Sequence, residues 1–170
     1  MNAPATYAAC IAEEAELVLD HLTGQDALEI GLVILDLAPT LTPKPVAVHI
    51  ENDDHPLFTH FMEGTGAGNW DWIGRKNRVV RRFGHSSWGV GLDYREKGLG
   101  FQAETGLDPE KFRAEGGAIP LVVRGRGCVG SLTISGLEGT EDHALAVAGL
   151  RRWLEQNRSS GKDSPIAPVS

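Results

Sequence analysis

Cysteine is scarce in this sequence: 170 residues carry only two, Cys10 and Cys128. One distant pair cannot form a disulfide framework, and no Cys-x-x-Cys spacing offers a thiolate metal site, so a reducing compartment is expected. Long apolar runs are also missing. The longest stretch, Ile30 to Ala38, is interrupted by Asp36 and is far shorter than the roughly 20 residues of a membrane span. No basic segment precedes an apolar one at the N-terminus, and Glu13, Glu14 and Glu16 follow closely, so no secretory leader is expected. Positive charge is outnumbered, with 16 Lys and Arg against 23 Asp and Glu. The resulting formal charge of −7 disfavours nucleic acid and anionic membranes as main partners. Catalytic signatures are lacking as well. Gly-x-Ser-x-Gly, His-Glu-x-x-His and the P-loop ending do not occur, no pair of carboxylates stands out, and no repeat is visible. These absences leave a soluble cytoplasmic protein as the expectation.

What remains is an ordinary globular composition, 41% hydrophobic, in a chain long enough to bury one core. The pattern predicts a single domain over residues 1–156 and a mobile tail over 157–170, where Ser, Gly, Pro and charge replace any packing period. A first helix is predicted over Thr6 to Glu16, extended by Leu17-Val18-Leu19 or followed there by a short strand. Thr23 to Asp26 supplies capping chemistry, and the period of Ala27, Ile30, Gly31, Ile34 and Leu37 predicts a helix that ends before Pro39. Val46, Val48 and Ile50 alternate with Ala47, His49 and Glu51, as in a half-buried strand. With Asn52 to Asp54 as the turn, Leu57 to Met62 completes a hairpin. Asn69 stands at an N-cap position for a helix running to Phe83, and Val90 to Lys97 reads as a short helix. Asp108-Pro109-Glu110 starts a helical turn. Ile119 to Arg124 and Cys128 to Ser135 form a second hairpin, and Thr140 caps the last helix. Two hairpins separated by helices imply an α+β fold with a mainly antiparallel sheet.

Lys76 is the most informative position. It lies four residues after Trp72 and four before Val80, inside an apolar stripe that continues through Val79 and Phe83. A buried ammonium there costs several kcal/mol unless it finds an anion or snorkels out. It is therefore an anion-binding lysine, a subunit-interface residue or half of a structural salt bridge. His143 begins the apolar face of Val147, Leu150 and Leu154, and the helix N-terminus disfavours its charged form. It is a base, a metal ligand or a packing residue, and Asp142 beside it compensates the helix dipole. Ser86 and Ser87 bond a ligand or end the arginine-rich helix. Gly64 to Gly68 offers amides to an anion, a weak signal taken alone. His49, His55 and His60 gather near one hairpin, but no ligand spacing supports a metal there.

Several segments together carry a resemblance. They are Leu57-Phe58 through Met62-x-Gly64-Thr65, then Asn69-x-x-Trp72-x-x-Arg75-Lys76-x-x-Val79-Val80-x-x-Phe83-x-x-Ser86-Ser87. Further on come Gly116-Gly117-x-x-Pro120-x-x-Val123, Gly127-x-x-Gly130, Ser135-Gly136-Leu137 and Glu141-Asp142-His143. The pattern resembles an uncharacterised family with bacterial and fungal members inside the GlcG/HbpS-like haem-degrading superfamily, over roughly Ala12 to Leu154. The resemblance implies a profilin-like α/β/α sandwich around a five-stranded, mainly antiparallel sheet, and a homo-oligomer built from dimers. It also implies haem or iron as a ligand, since members of the wider superfamily bind these and some degrade haem, although no haem-ligand motif carries over. On the motif's own positions, Asn69, Lys76, Ser87, Asp142 and His143 are the expected ligand-binding residues. The expected function is a homo-oligomer binding an anionic small molecule, tetrapyrrole carboxylates included. The alternatives are an oligomeric scaffold without a small ligand and an iron-dependent haem-degrading enzyme with His143 as base or ligand.

Overall fold

A computed structural model describes residues 2–53 and 55–159 of the chain. Its elements follow the order α1 (Tyr7–Glu16), β1 (Val18–Leu19), α2 (Gly24–Leu41), β2 (Ala47–Asn52), β3 (His55–Phe61), α3 (Ala67–Phe83), α4 (Ser87–Glu96), α5 (Phe101–Thr105), β4 (Ala118–Val123), β5 (Gly127–Ser135) and α6 (Gly139–Ser159). The five strands lie in the order β1-β4-β5-β2-β3. Both predicted hairpins form, β5 also pairs antiparallel with β2, and only β1 runs parallel, beside β4. The fold is α+β, as expected, and Val18–Leu19 takes the strand alternative.

Alternation assigns the layers. Val48 and Ile50 of β2, Ile119 and Leu121 of β4, and Leu132 and Ile134 of β5 share one face and bury against Ile30, Ile34, Leu145 and Leu150 of α2 and α6. The opposite face presents His49, Glu51, Ser131, Thr133 and Ser135, and α3 lies across it. Strand β2 was expected to be half-buried. Both its faces are enclosed instead, because α3 covers the polar side. A smaller apolar cluster of Val79, Val90, Phe101 and Ala114 joins α3 to α4 and α5.

Several local expectations shift. Helix α2 opens on a capping box between Thr23 and Asp26, as its sequence suggested, but runs through Pro39 to Leu41. So near the C-terminus the proline interrupts little of the ladder, and Thr42 N–H still closes on the Ala38 carbonyl at 3.0 Å. Gly66, not Asn69, is the N-cap of α3; Asn69 sits three residues in and its Oδ1 reaches back to Gly66 N–H at 3.0 Å. Trp72 leaves the expected apolar stripe for the surface, and Ile73 takes the buried position. Asp108 organises a hydrogen-bonded turn, with the Lys111 and Phe112 N–H groups on its carbonyl, and the helix in this region lies earlier, at Phe101–Thr105. Helix α6 starts at Gly139, one residue before the expected cap, and continues to Ser159. The remainder of the expected tail lies outside the described residues.

Candidate functional site

Helix α3 separates two clefts on the polar side of the sheet. The first, about 400 Å³, gathers three of the five sequence candidates, Asn69, Lys76 and Asp142. Lys76 is 3% exposed and reaches between strand and helix. Its Nζ donates to the Ile134 carbonyl at 3.0 Å and to Asp142 Oδ2 at 2.9 Å. Asp142 Oδ1 accepts from Leu137 N–H at 3.0 Å. Burial pushes the Asp142 carboxyl up to about 6, against the opposing pull of Lys76 and of the Leu137 and Gly136 N–H groups. Gly117, at φ +133°, makes room for the ammonium, because a Cβ there would press into Nζ and the Ile134 carbonyl. Asn69 closes the floor, its amide donating to the Ser135 carbonyl and hydroxyl at 3.2 and 3.3 Å. The anion that Lys76 requires is therefore supplied within the chain.

The other two candidates lie elsewhere. Ser87 is fully buried in the first turn of α4, where its hydroxyl both donates to the Ala118 carbonyl and accepts from Ala118 N–H, pinning α4 to β4. His143 follows Asp142 by about 100° around α6, so it faces α1 instead of the cleft. Its Nε2 pairs with Glu13 at 2.8 Å, and its buried Nδ1 has no hydrogen-bond partner among the described residues. Lys76 and His143 do not share a site.

The second cleft, about 420 Å³, was not anticipated. Arg75, Arg78, Arg81 and Lys111 line it, with His49 and Glu51 toward the sheet. Glu51 is the hub. One carboxylate oxygen takes Arg81 at 2.8 Å and the Ser131 hydroxyl at 3.3 Å, and the other takes His49 Nε2 at 3.1 Å. Burial pushes its carboxyl up, but hydrogen bonds from His49 and Arg81 outweigh that and hold it below the usual carboxylate range. Next to it the Thr133 hydroxyl bonds Asn77. Arg75 pairs with Glu110 at 3.7 Å and stacks 5.4 Å from the Trp72 ring. Among the described residues Arg78 donates only to the Lys111 carbonyl, at 3.2 Å. The alternation of Ser131, Thr133 and Ser135 with Leu132 and Ile134 was the available signal. Three hydroxyls on one strand face call for polar partners opposite. His60 stands opposite Val48 on β3, so it does not converge with His49, and no metal-holding group of His, Cys, Asp or Glu occurs among the described residues. No helix described is long and apolar enough to cross a membrane.

Comparison with known proteins agrees with this architecture. Residues 22–151 match the family described as haem degrading protein HbpS-like. A UPF0303 protein of Streptomyces avermitilis is 41% identical over 157 residues, covering 92% of this chain and 96% of that protein. Among solved structures, the Ybr137w protein superposes with a TM-score of 0.82 at 31% identity, over 91% of this chain and 90% of its own. The PduOC:Heme complex superposes with a TM-score of 0.64 at 19% identity, over 76% of this chain and 93% of its own, which shows a shared fold. The sequence match and the layered sheet converge, and the chain belongs to the HbpS-like haem-degrading protein family.

Proposed function

We propose that this protein binds an anionic small molecule, with tetrapyrrole carboxylates as one class, in the second cleft beside α3. One observation carries the reading. Arg78 and Lys111 both line this cleft, and among the described residues neither meets a carboxylate. In a chain of net charge −7, two unmatched cations next to Arg75 concentrate positive potential where an anion can use it. The Arg78 guanidinium spends one N–H on a carbonyl and keeps others for a carboxylate. Trp70 flanks them with a half-exposed ring. The first cleft is less suited to an anion, because Asp142 already neutralises Lys76, its one lining cation, and Glu115 and Glu138 add to the acid there, whereas Glu51, Asp71 and Glu110 of the second cleft face four cations.

Family membership and the haem complex of the PduOC neighbour favour a tetrapyrrole within the anionic class. The cleft fits the carboxylates of such a ligand. It offers no free imidazole for iron, since both ring nitrogens of His49 are engaged, so binding here runs through the carboxylates. Self-association is part of the reading, supported by Leu28 and Leu32, exposed one turn apart on α2.

Native mass spectrometry of the purified protein tests both parts, with an oligomer retaining small-molecule mass as the expected result. Titration with haem, followed by absorbance, should then weaken at least tenfold in Arg78→Ala combined with Lys111→Ala, with the circular dichroism spectrum unchanged. Undiminished binding in that variant sinks the site. A clean oligomer that takes up no haem favours the scaffold reading.

A further inference from the structure

The polar layer ends at a hydroxyl on the edge of the sheet. His49 and Thr59 are direct cross-strand partners of β2 and β3, so their side chains share one face. Thr59 Oγ1 lies 2.7 Å from His49 Nδ1, and His49 Nε2 lies 3.1 Å from Glu51 Oε2. An ionised carboxylate at Nε2 fixes the ring proton there and leaves Nδ1 as an acceptor, so the Thr59 hydroxyl donates to it. The imidazole is 2% exposed, which keeps water away from Nδ1, whereas Thr59 is exposed on the edge strand. The Trp70 ring lies perpendicular to the imidazole at 5.1 Å and 6.1 Å from Phe61, two residues along β3 from Thr59. Hydroxyl, imidazole and carboxylate thus stand in the order of nucleophile, base and orienting acid.

We propose that Thr59 is a nucleophile that accepts acyl groups from activated esters, with His49 as its base and Glu51 as the residue positioning that base. Thr59 Oγ attacks the ester carbonyl carbon while its proton passes to His49 Nδ1. The bond to the leaving alcohol breaks, the alcohol departs with that proton, and the acyl group remains as a threonine ester. The step uses His49 and Glu51, which also line the anion cleft, but neither Arg78 nor Lys111 takes part in it, so variants at those two cations separate anion binding from acylation.

p-Nitrophenyl acetate is the probe, with nitrophenol release followed by absorbance and the adduct located by peptide mass spectrometry. One acetyl group on Thr59 is expected, retained in Thr59→Ser and absent in Thr59→Val. His49→Gln should slow acylation about 100-fold, within the usual range for loss of a general base. Glu51→Gln should slow it as well, with Glu51→Asp restoring part of the rate. Acetylation confined to lysines and the N-terminus overturns the proposal, as does Thr59 labelling at an unchanged rate in His49→Gln. If His49→Gln does not fold, the Thr59→Ser and Thr59→Val pair decides on the native imidazole.

Discussion

The two faces of one sheet are built on opposite principles. Leu132 and Ile134 of β5, with Val48 and Ile50 of β2, face α2 and α6 and are stabilised by removal from water, with no need of specific partners. One residue along in each strand, Ser131, Thr133, Ser135, His49 and Glu51 face α3, and each is stable only because a named group meets it: Thr133 on Asn77, Ser135 on Asn69, Ser131 on Glu51, and Glu51 on Arg81 and His49. The apolar face tolerates repacking as long as volume is kept. The polar face does not, and both clefts and the threonine relay open on that side. The sheet carries its stability on one surface and its chemistry on the other.

Breaking the buried ion pair should cost most. Lys76→Ala leaves Asp142 enclosed without its cation and should lose about 3–5 kcal/mol in urea denaturation at neutral pH. Combining Lys76→Met with Asp142→Asn should recover most of that loss, because the amide keeps the Leu137 bond and no charge stays buried. A double variant as weak as the single one would show that this face depends on the charges themselves. Adjacent positions on β5 give a smaller and more direct contrast. Leu132→Ala should cost about 2–5 kcal/mol through an apolar cavity, and Thr133→Val about 1–3 kcal/mol by stranding the Asn77 amide. Equal costs would erase the distinction between the faces.

The finest test is a slope in pH. The folded-state value of Asp142, about 6, lies above the usual carboxylate range, so between roughly pH 4 and 6 the native protein holds a proton that the unfolded chain has released. Its contribution to stability is complete below that window and is lost as pH rises through about 6. Glu51, held low, acts in the opposite sense: its contribution is present above the unfolded value and is lost as pH falls through the folded one. Subtracting the Asp142→Asn denaturation curve from wild type across this range isolates the first effect, and identical slopes would refute it.

The sequence made the architecture readable where a short period decides it. Alternation in β2 and β5, turn residues between strands and the Thr23–Asp26 cap each act over a few residues, and the two hairpins follow. The requirement at Lys76 was equally legible, since an ammonium in an apolar stripe demands an anion. The identity of that anion was not, because Asp142 lies 66 residues away and only tertiary packing brings it in. His143 shows the converse. Adjacent to Asp142 in sequence, it was grouped with it, yet helix geometry sends the two side chains to different neighbours. Arg78 reads in the sequence as part of a solvated helix face or a subunit contact and Lys111 carries no signal of its own; only their meeting across a cleft makes them a pair.

The tandem glycines before β4 bear on how such a protein can diversify. A Cβ on Gly116 would overlap the Gly139 carbonyl, and one on Gly117 would displace the Lys76 ammonium. Backbone meets backbone here, so this wall of the first cleft cannot be varied one side chain at a time. Change in what the protein recognises is channelled instead to α3, where Trp70, Trp72 and Arg78 are exposed and can be exchanged without moving the frame. Descendants of this chain would explore new ligands along one helix while inheriting the opposite wall unaltered.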